Sequence, residues 1–107
     1  MRRVLLPKMK PIRRGSSPTL HFDIPYRPDL ITGGYITFAQ RGTVLFEKAF
    51  DDPSVELGDF FVEVDLTEKE TLELTSYDTL KAQLRFIFKY GKTGGSDIFE
   101  YPVDDVL

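Results

Sequence analysis

His21 is the one histidine in 107 residues, and the chain has no cysteine. These two counts close most routes to side-chain chemistry: a multi-histidine or thiolate zinc site is excluded, and so is a cysteine nucleophile. An imidazole base would have to be His21. Catalysis there would need a nucleophile and an orienting carboxylate converging on its ring. Ser16, Ser17 and Asp23 are near in sequence, but neighbours along a strand do not form a triad, so His21 reads as an exposed strand residue. Asp51–Asp52 and Asp104–Asp105 could each offer oxygen ligands to calcium. Neither pair lies in a D-x-D-x-D-G loop, and ordinary turn and tail chemistry accounts for both. In "GKTGGS", Gly91, Gly94 and Gly95 lack the strand-to-helix setting of a phosphate loop despite Lys92–Thr93, and the stretch reads as a hairpin tip. Tyr35, Phe61, Tyr90 and Tyr101 could stack on bases or sugars, yet they are not interleaved with Lys and Arg as in single-strand binders. They read as core or sheet-face packing. No catalytic, cofactor-binding or metal-ligating residue emerges, and the chain reads as a binding or assembly protein, not an enzyme.

The charge is uneven. The first fourteen residues hold six basic groups (Arg2, Arg3, Lys8, Lys10, Arg13, Arg14) and no acid, so the other 93 carry eight basic and seventeen acidic groups, a net −9. An acidic body repels phosphates, which argues against nucleic acid as a partner. Residues 1–8 form a basic and apolar arm ahead of a single domain at 9–107. Within it Arg2, Arg3, Val4, Leu5 and Leu6 are the candidate partner-binding residues, with Pro7 interrupting any ladder. The run Val4–Leu6 is shorter than the roughly 7–15 apolar residues of a signal peptide. No stretch approaches the roughly 20 needed to span a bilayer, so no membrane partner is expected.

The elements are read from periodicity. Residues 19–24 alternate, with Leu20, Phe22 and Ile24 on one face and Thr19, His21 and Asp23 on the other, the signature of a half-buried strand between Pro18 and Pro25. "YITFAQ" and "TVLFEKAF" flank Arg41–Gly42, a hairpin signal. "VEL" reads as a short strand, and Phe60, Val62, Val64 and Leu66 set the inner face of the next. Thr67-x-x-Glu70 is a capping box that should open a helix with Leu72 toward the core. Residues 82–90 place Ala82, Leu84, Phe86, Phe88 and Tyr90 on one face of a central strand. "DIFEYPV" is a last strand, and Pro102 marks it as an edge. The fold class expected is all-β: an antiparallel immunoglobulin-like β-sandwich of about seven strands with one short helix near 68–74.

The order of these pieces resembles a group of small proteins encoded in phages and prophages of Gram-positive bacteria beside tail and baseplate genes. The likeness is carried by "RGSSPTL" (Arg14–Leu20), "TFAQ" (Thr37–Gln40), "LTEKET" (Leu66–Thr71) and "QLR" (Gln83–Arg85). Such proteins are similar to the amino-terminal β-sandwich of the baseplate upper protein, a tail-tip component that anchors receptor-binding proteins. The resemblance implies a virion structural role by protein–protein contact, in assembly or in anchoring an adhesion device. It implies other phage structural proteins as partners, compatibility with a homo-oligomer, no cofactor, and residence in the bacterial cytoplasm during assembly and then in the virion. The long helical and carboxy-terminal parts of that protein have no counterpart here, so direct receptor binding is not implied. The alternative is a β-sandwich that binds carbohydrate or a host surface.

Overall fold

The computed structural model describes residues 11–106, and in it the alternations become two antiparallel sheets packed face to face. In chain order the strands are β1 (Ile12–Arg13), β2 (Thr19–Asp23), β3 (Ile31–Gln40), β4 (Thr43–Ala49), β5 (Val55–Gly58), β6 (Phe61–Asp65), β7 (Leu80–Phe88), β8 (Thr93–Gly95), β9 (Phe99–Tyr101) and β10 (Val103–Asp104). A 3-10 turn covers Pro28–Leu30, and the one α-helix, α1, covers Glu68–Leu72. The smaller sheet runs β2-β6-β5; the larger runs β4-β3-β7, with β8 and β9 end to end along the far edge of β7. β1 pairs in parallel with β10, which closes one side of the sandwich.

Strands therefore number more than the seven or so expected, for an identifiable reason. The last long strand is interrupted at Ser96–Ile98, where Ser96 replaces ladder backbone with its side chain. Its Oγ accepts from the Leu84 N–H at 2.9 Å, while its own N–H donates to the Leu84 carbonyl at 2.9 Å. Pro102, lacking an N–H, separates β9 from β10. The stretch "GKTGGS", expected to be a turn throughout, turns only at its start and contributes β8.

The core lies where the inner faces meet. Phe22, Val62 and Val64 from the smaller sheet meet Ile36, Phe38, Leu84 and Phe86 from the larger, all essentially without solvent contact. Aromatic edges lock the two layers: Phe22 meets Phe99 at 4.9 Å and Tyr101 at 6.1 Å, both edge-on, an arrangement favoured by the ring quadrupole. The β3–β4 hairpin closes at Arg41 (φ 53) and Gly42 (φ 74), the left-handed pair of a two-residue turn whose twist matches the strands it joins.

Polar groups bind the helix to this frame. Thr67 and Glu70 form the expected box, with Thr67 Oγ1 accepting from the Glu70 N–H at 3.1 Å and Glu70 Oε1 accepting from the Thr67 N–H at 2.8 Å. Lys48, buried on β4, donates to the Ser54 hydroxyl at 3.0 Å and the Asp65 carbonyl at 2.9 Å, and pairs with Glu70 Oε1 at 2.9 Å. Burial pushes the Glu70 carboxyl up, but the Thr67 N–H and the Lys48 ammonium outweigh it and hold the group below its ordinary value. Leu72 does not face the core: it is 42% exposed, and Thr71 and Leu74 are the buried residues instead. The helix is only five residues long, and it turns Thr71 inward because that hydroxyl accepts from the Gly15 N–H at 3.0 Å and donates to the Ser16 carbonyl at 2.8 Å. The alternation also overreaches at both ends: Phe60 is half exposed at a hairpin tip, and Tyr90 lies in the β7–β8 turn.

Two stability predictions follow from this packing. Phe86→Ala is expected to cost about 3–5 kcal/mol, while Leu72→Ala costs about 1 kcal/mol or less; urea midpoints measured side by side check the assignment of faces. Lys48→Met breaks a largely buried pair and is expected to cost about 3 kcal/mol at neutral pH. Because the folded Glu70 pKa is depressed, that cost is present above 4.5 and fades as pH falls through the folded value. A cost that stays constant into acid would contradict the pairing.

Candidate interaction surfaces

The outer face of the smaller sheet carries the histidine. His21 stands opposite Glu63 on β6, and Glu63 stands opposite Glu56 on β5, so one cross-strand row holds two carboxylates and one imidazole. Its Nδ1 lies 2.8 Å from Glu63 Oε2, its Nε2 lies 3.0 Å from Asp23 Oδ1, and its ring stacks on Phe61 at 5.1 Å. Both ring nitrogens thus face carboxylates, which is the environment of an imidazolium. The Glu63 and Asp23 hydrogen bonds raise the pKa of His21 above its ordinary value. Ser16 donates its hydroxyl to the Arg13 carbonyl, so it does not join His21 and Asp23 in a triad.

The remaining sequence candidates have local partners. Asp52 accepts from the N–H and the hydroxyl of Ser54, and these bonds lower its pKa. Asp105 accepts from the Val106 N–H at 2.8 Å and pairs with Arg14 at 3.0 Å. Lys92 closes the β7–β8 turn through its carbonyl, which accepts from the Phe88 N–H at 2.8 Å. Tyr101 is buried in the core, where burial pushes its phenol up to about 12; it offers no stacking platform. Among the described residues no group of three or more acidic or histidine side chains is arranged to hold a metal ion, and no helix is long and apolar enough to cross a membrane. The arm residues Arg2, Arg3, Val4, Leu5 and Leu6 lie outside the described residues.

Two further surfaces present apolar side chains to solvent. The first is the end of the sandwich where three connections meet: residues 24–30, the β5–β6 turn and the β7–β8 turn. Backbone bonds tie them together, from the Ile24 N–H to the Phe60 carbonyl at 3.0 Å and from the Lys89 N–H to the Leu30 carbonyl at 3.0 Å. Leu30, Phe60 (49% exposed) and Tyr90 (83% exposed) project from this end. Phe60 has φ 64, a left-handed conformation that costs a residue with a Cβ about 1–2 kcal/mol. Sequence periodicity counted Phe60 and Tyr90 as inward strand residues; the signal that could have found them is the Asp59–Phe60 pair at a turn and the Gly91 beside Tyr90. The second surface is the outer face of the larger sheet. Here Tyr35, Thr37 and Ala39 on β3 lie between Glu47 on β4 and Lys81, Gln83 and Arg85 on β7, around a shallow depression of about 390 Å³.

The chain matches no protein-family model, no curated protein and no solved structure.

The His21 cluster yields a pH prediction. With the folded pKa raised, its stabilising contribution is fully present below 6.5 and is lost as pH rises through the folded value. His21→Gln is expected to lower the thermal midpoint near pH ~5.5 and to leave it almost unchanged near pH ~8.5. A deficit that grows with pH would show that the two carboxylates do not stabilise the imidazolium.

Proposed function

We propose that the chain is a structural module of a phage or prophage particle, associated with the tail or baseplate, that acts through protein–protein contact in assembly or in anchoring an adhesion device. The supporting observation is where the residues behind the family resemblance go. Arg14, Gly15, Gln40, Thr67, Glu70, Thr71 and Gln83 all bond to backbone or to each other in holding loops, helix and strands together. These residues specify a frame. What the frame offers to solvent is a loop end with Leu30, Phe60 and Tyr90 and a sheet face with Tyr35, the aromatic and aliphatic residue types on which protein interfaces depend. The strand order β2-β6-β5 against β4-β3-β7-β9 is also the order of an immunoglobulin-like sandwich, which supports that reading of the fold. The carbohydrate alternative rests on the depression beside Tyr35, where a single aromatic neighbours Glu47, Gln83 and Arg85.

Mass spectrometry of purified particles released by a host carrying this gene tests the proposal. The chain is expected to co-purify with tail proteins, and its absence from tailed particles would overturn the role. In the same particles the pair Phe60→Asn and Tyr90→Ser is expected to lower occupancy severalfold without destabilising the fold, because asparagine tolerates the left-handed backbone at 60 better than phenylalanine and Tyr90 is a surface residue. Undiminished occupancy would remove the loop end from the contact. A glycan array bound by the wild type and lost in Tyr35→Ala would favour the sugar reading.

A further inference from the structure

We infer that two copies of this chain associate through the outer faces of their larger sheets, about a two-fold axis running along β3. The inference rests on the assembly reading above and adds the partner and the surface. Register carries it. Thr37 stands opposite Glu47 on one side and Gln83 on the other, while Ala39 and Tyr35 stand opposite Lys81 and Arg85. A two-fold axis along β3 lays β4 of one copy over β7 of the other at the same height. Glu47 then lands above Gln83 of the second copy, with Lys81 and Arg85 roughly 7 Å to either side along the strand. The symmetry produces the same contact twice.

The charges on this face are left ready for such a neighbour. Arg85 has no carboxylate within ion-pair reach among the described residues, and Glu47 has no cation; Glu47 is held in place by the Thr37 hydroxyl at 2.7 Å. Lys81 is only loosely engaged, 3.9 Å from Glu100. Along the axis the floor is shallow at Thr37 and Ala39, Tyr35 stands exposed farther along the same row, and Ile98 stands exposed beside it. Four strands by eight residues cover about 500 Å² per copy, or about 1,000 Å² in all, the lower bound for a specific interface. Edge-to-edge pairing through β4 is opposed by Lys48, an inward-pointing charge on that edge.

Sedimentation velocity of the full chain across a micromolar concentration series is the test. The wild type is expected to form a dimer. Arg85→Glu alone places acid against acid and Glu47→Arg alone places base against base, so each is expected to weaken the dimer at least about tenfold. Mixing these two single variants creates a heterodimer in which both contacts are again opposite in sign, and the Arg85→Glu/Glu47→Arg double variant restores the homodimer. Recovery on mixing cannot come from misfolded chains, so the result does not depend on each variant's own stability. A wild type that stays monomeric, or a dimer indifferent to both reversals, overturns the inference; because particle incorporation is measured separately, it does so without touching the proposed function.

Discussion

A lysine ammonium buried on an edge strand is the constraint from which the rest of the structure hangs. Among the described residues β4 pairs only with β3, and at such an edge an inward-facing Lys would ordinarily lose its hydration without return. Lys48 instead crosses the open side of the sandwich to Ser54, the Asp65 carbonyl and Glu70. Three oxygens replace its water, the condition under which a buried charge is tolerated. The residues reached belong to the β4–β5 turn, the end of β6 and the helix. One side chain therefore sets the spacing between the two sheets and the position of α1 at once.

From Glu70 the ties continue along the helix to both ends of the described chain. Thr71 holds Gly15 and Ser16, and Arg14 reaches the Leu72 carbonyl and Asp105. These contacts seat β1 beside β10, so the parallel closing pair depends on a helix of five residues. Gln40 performs the complementary task on the larger sheet: its amide donates to the carbonyls of Thr75 and Asp78 and accepts from the Thr75 N–H at 2.8 Å. The connection from α1 to β7 is anchored in the core by Leu74 at its start, and these amide bonds hold the stretch that follows. Without them its backbone groups would be left partly unpaired, at a cost of about 1–3 kcal/mol each.

Much of this was legible in the sequence wherever one local rule sufficed. Alternation gave the inner faces of β2, β6 and β7, the Arg41–Gly42 spacing gave a hairpin, and Thr67-x-x-Glu70 gave a helix start. Failures came where a distant partner decides. Leu72 looks like the core residue of α1, but the bonds to Gly15 and Ser16 rotate Thr71 inward. Ser96 looks like a turn residue, and only the facing Leu84 makes it a ladder substitute. Lys48 and Gln40 carry no periodic signal, since their inward direction has meaning only when turns, helix and connections distant in sequence supply the oxygens and N–H groups they meet. The acidic row at His21 was readable strand by strand but not across strands, because register is a property of the pairing.

The loop end illustrates how such a frame can serve contact. A phenylalanine in the left-handed region persists only where its surroundings over-determine it, and two features here do so. The Phe60 carbonyl accepts from the Ile24 N–H, and the Phe61 ring lies so close over Gly58 that a Cβ there would sit 2.2 Å from it. Any residue larger than glycine at 58 would lift the ring and release the tip. The strain is thus held by the hairpin and by β2 together, and Phe60 projects from a backbone with little freedom left to lose. A preformed projection gives up less conformational entropy on docking than a mobile loop of the same composition. In the proposed contact, stability lost at the turn is recovered as affinity, a physical reason for a phenylalanine where asparagine or glycine would fold more easily.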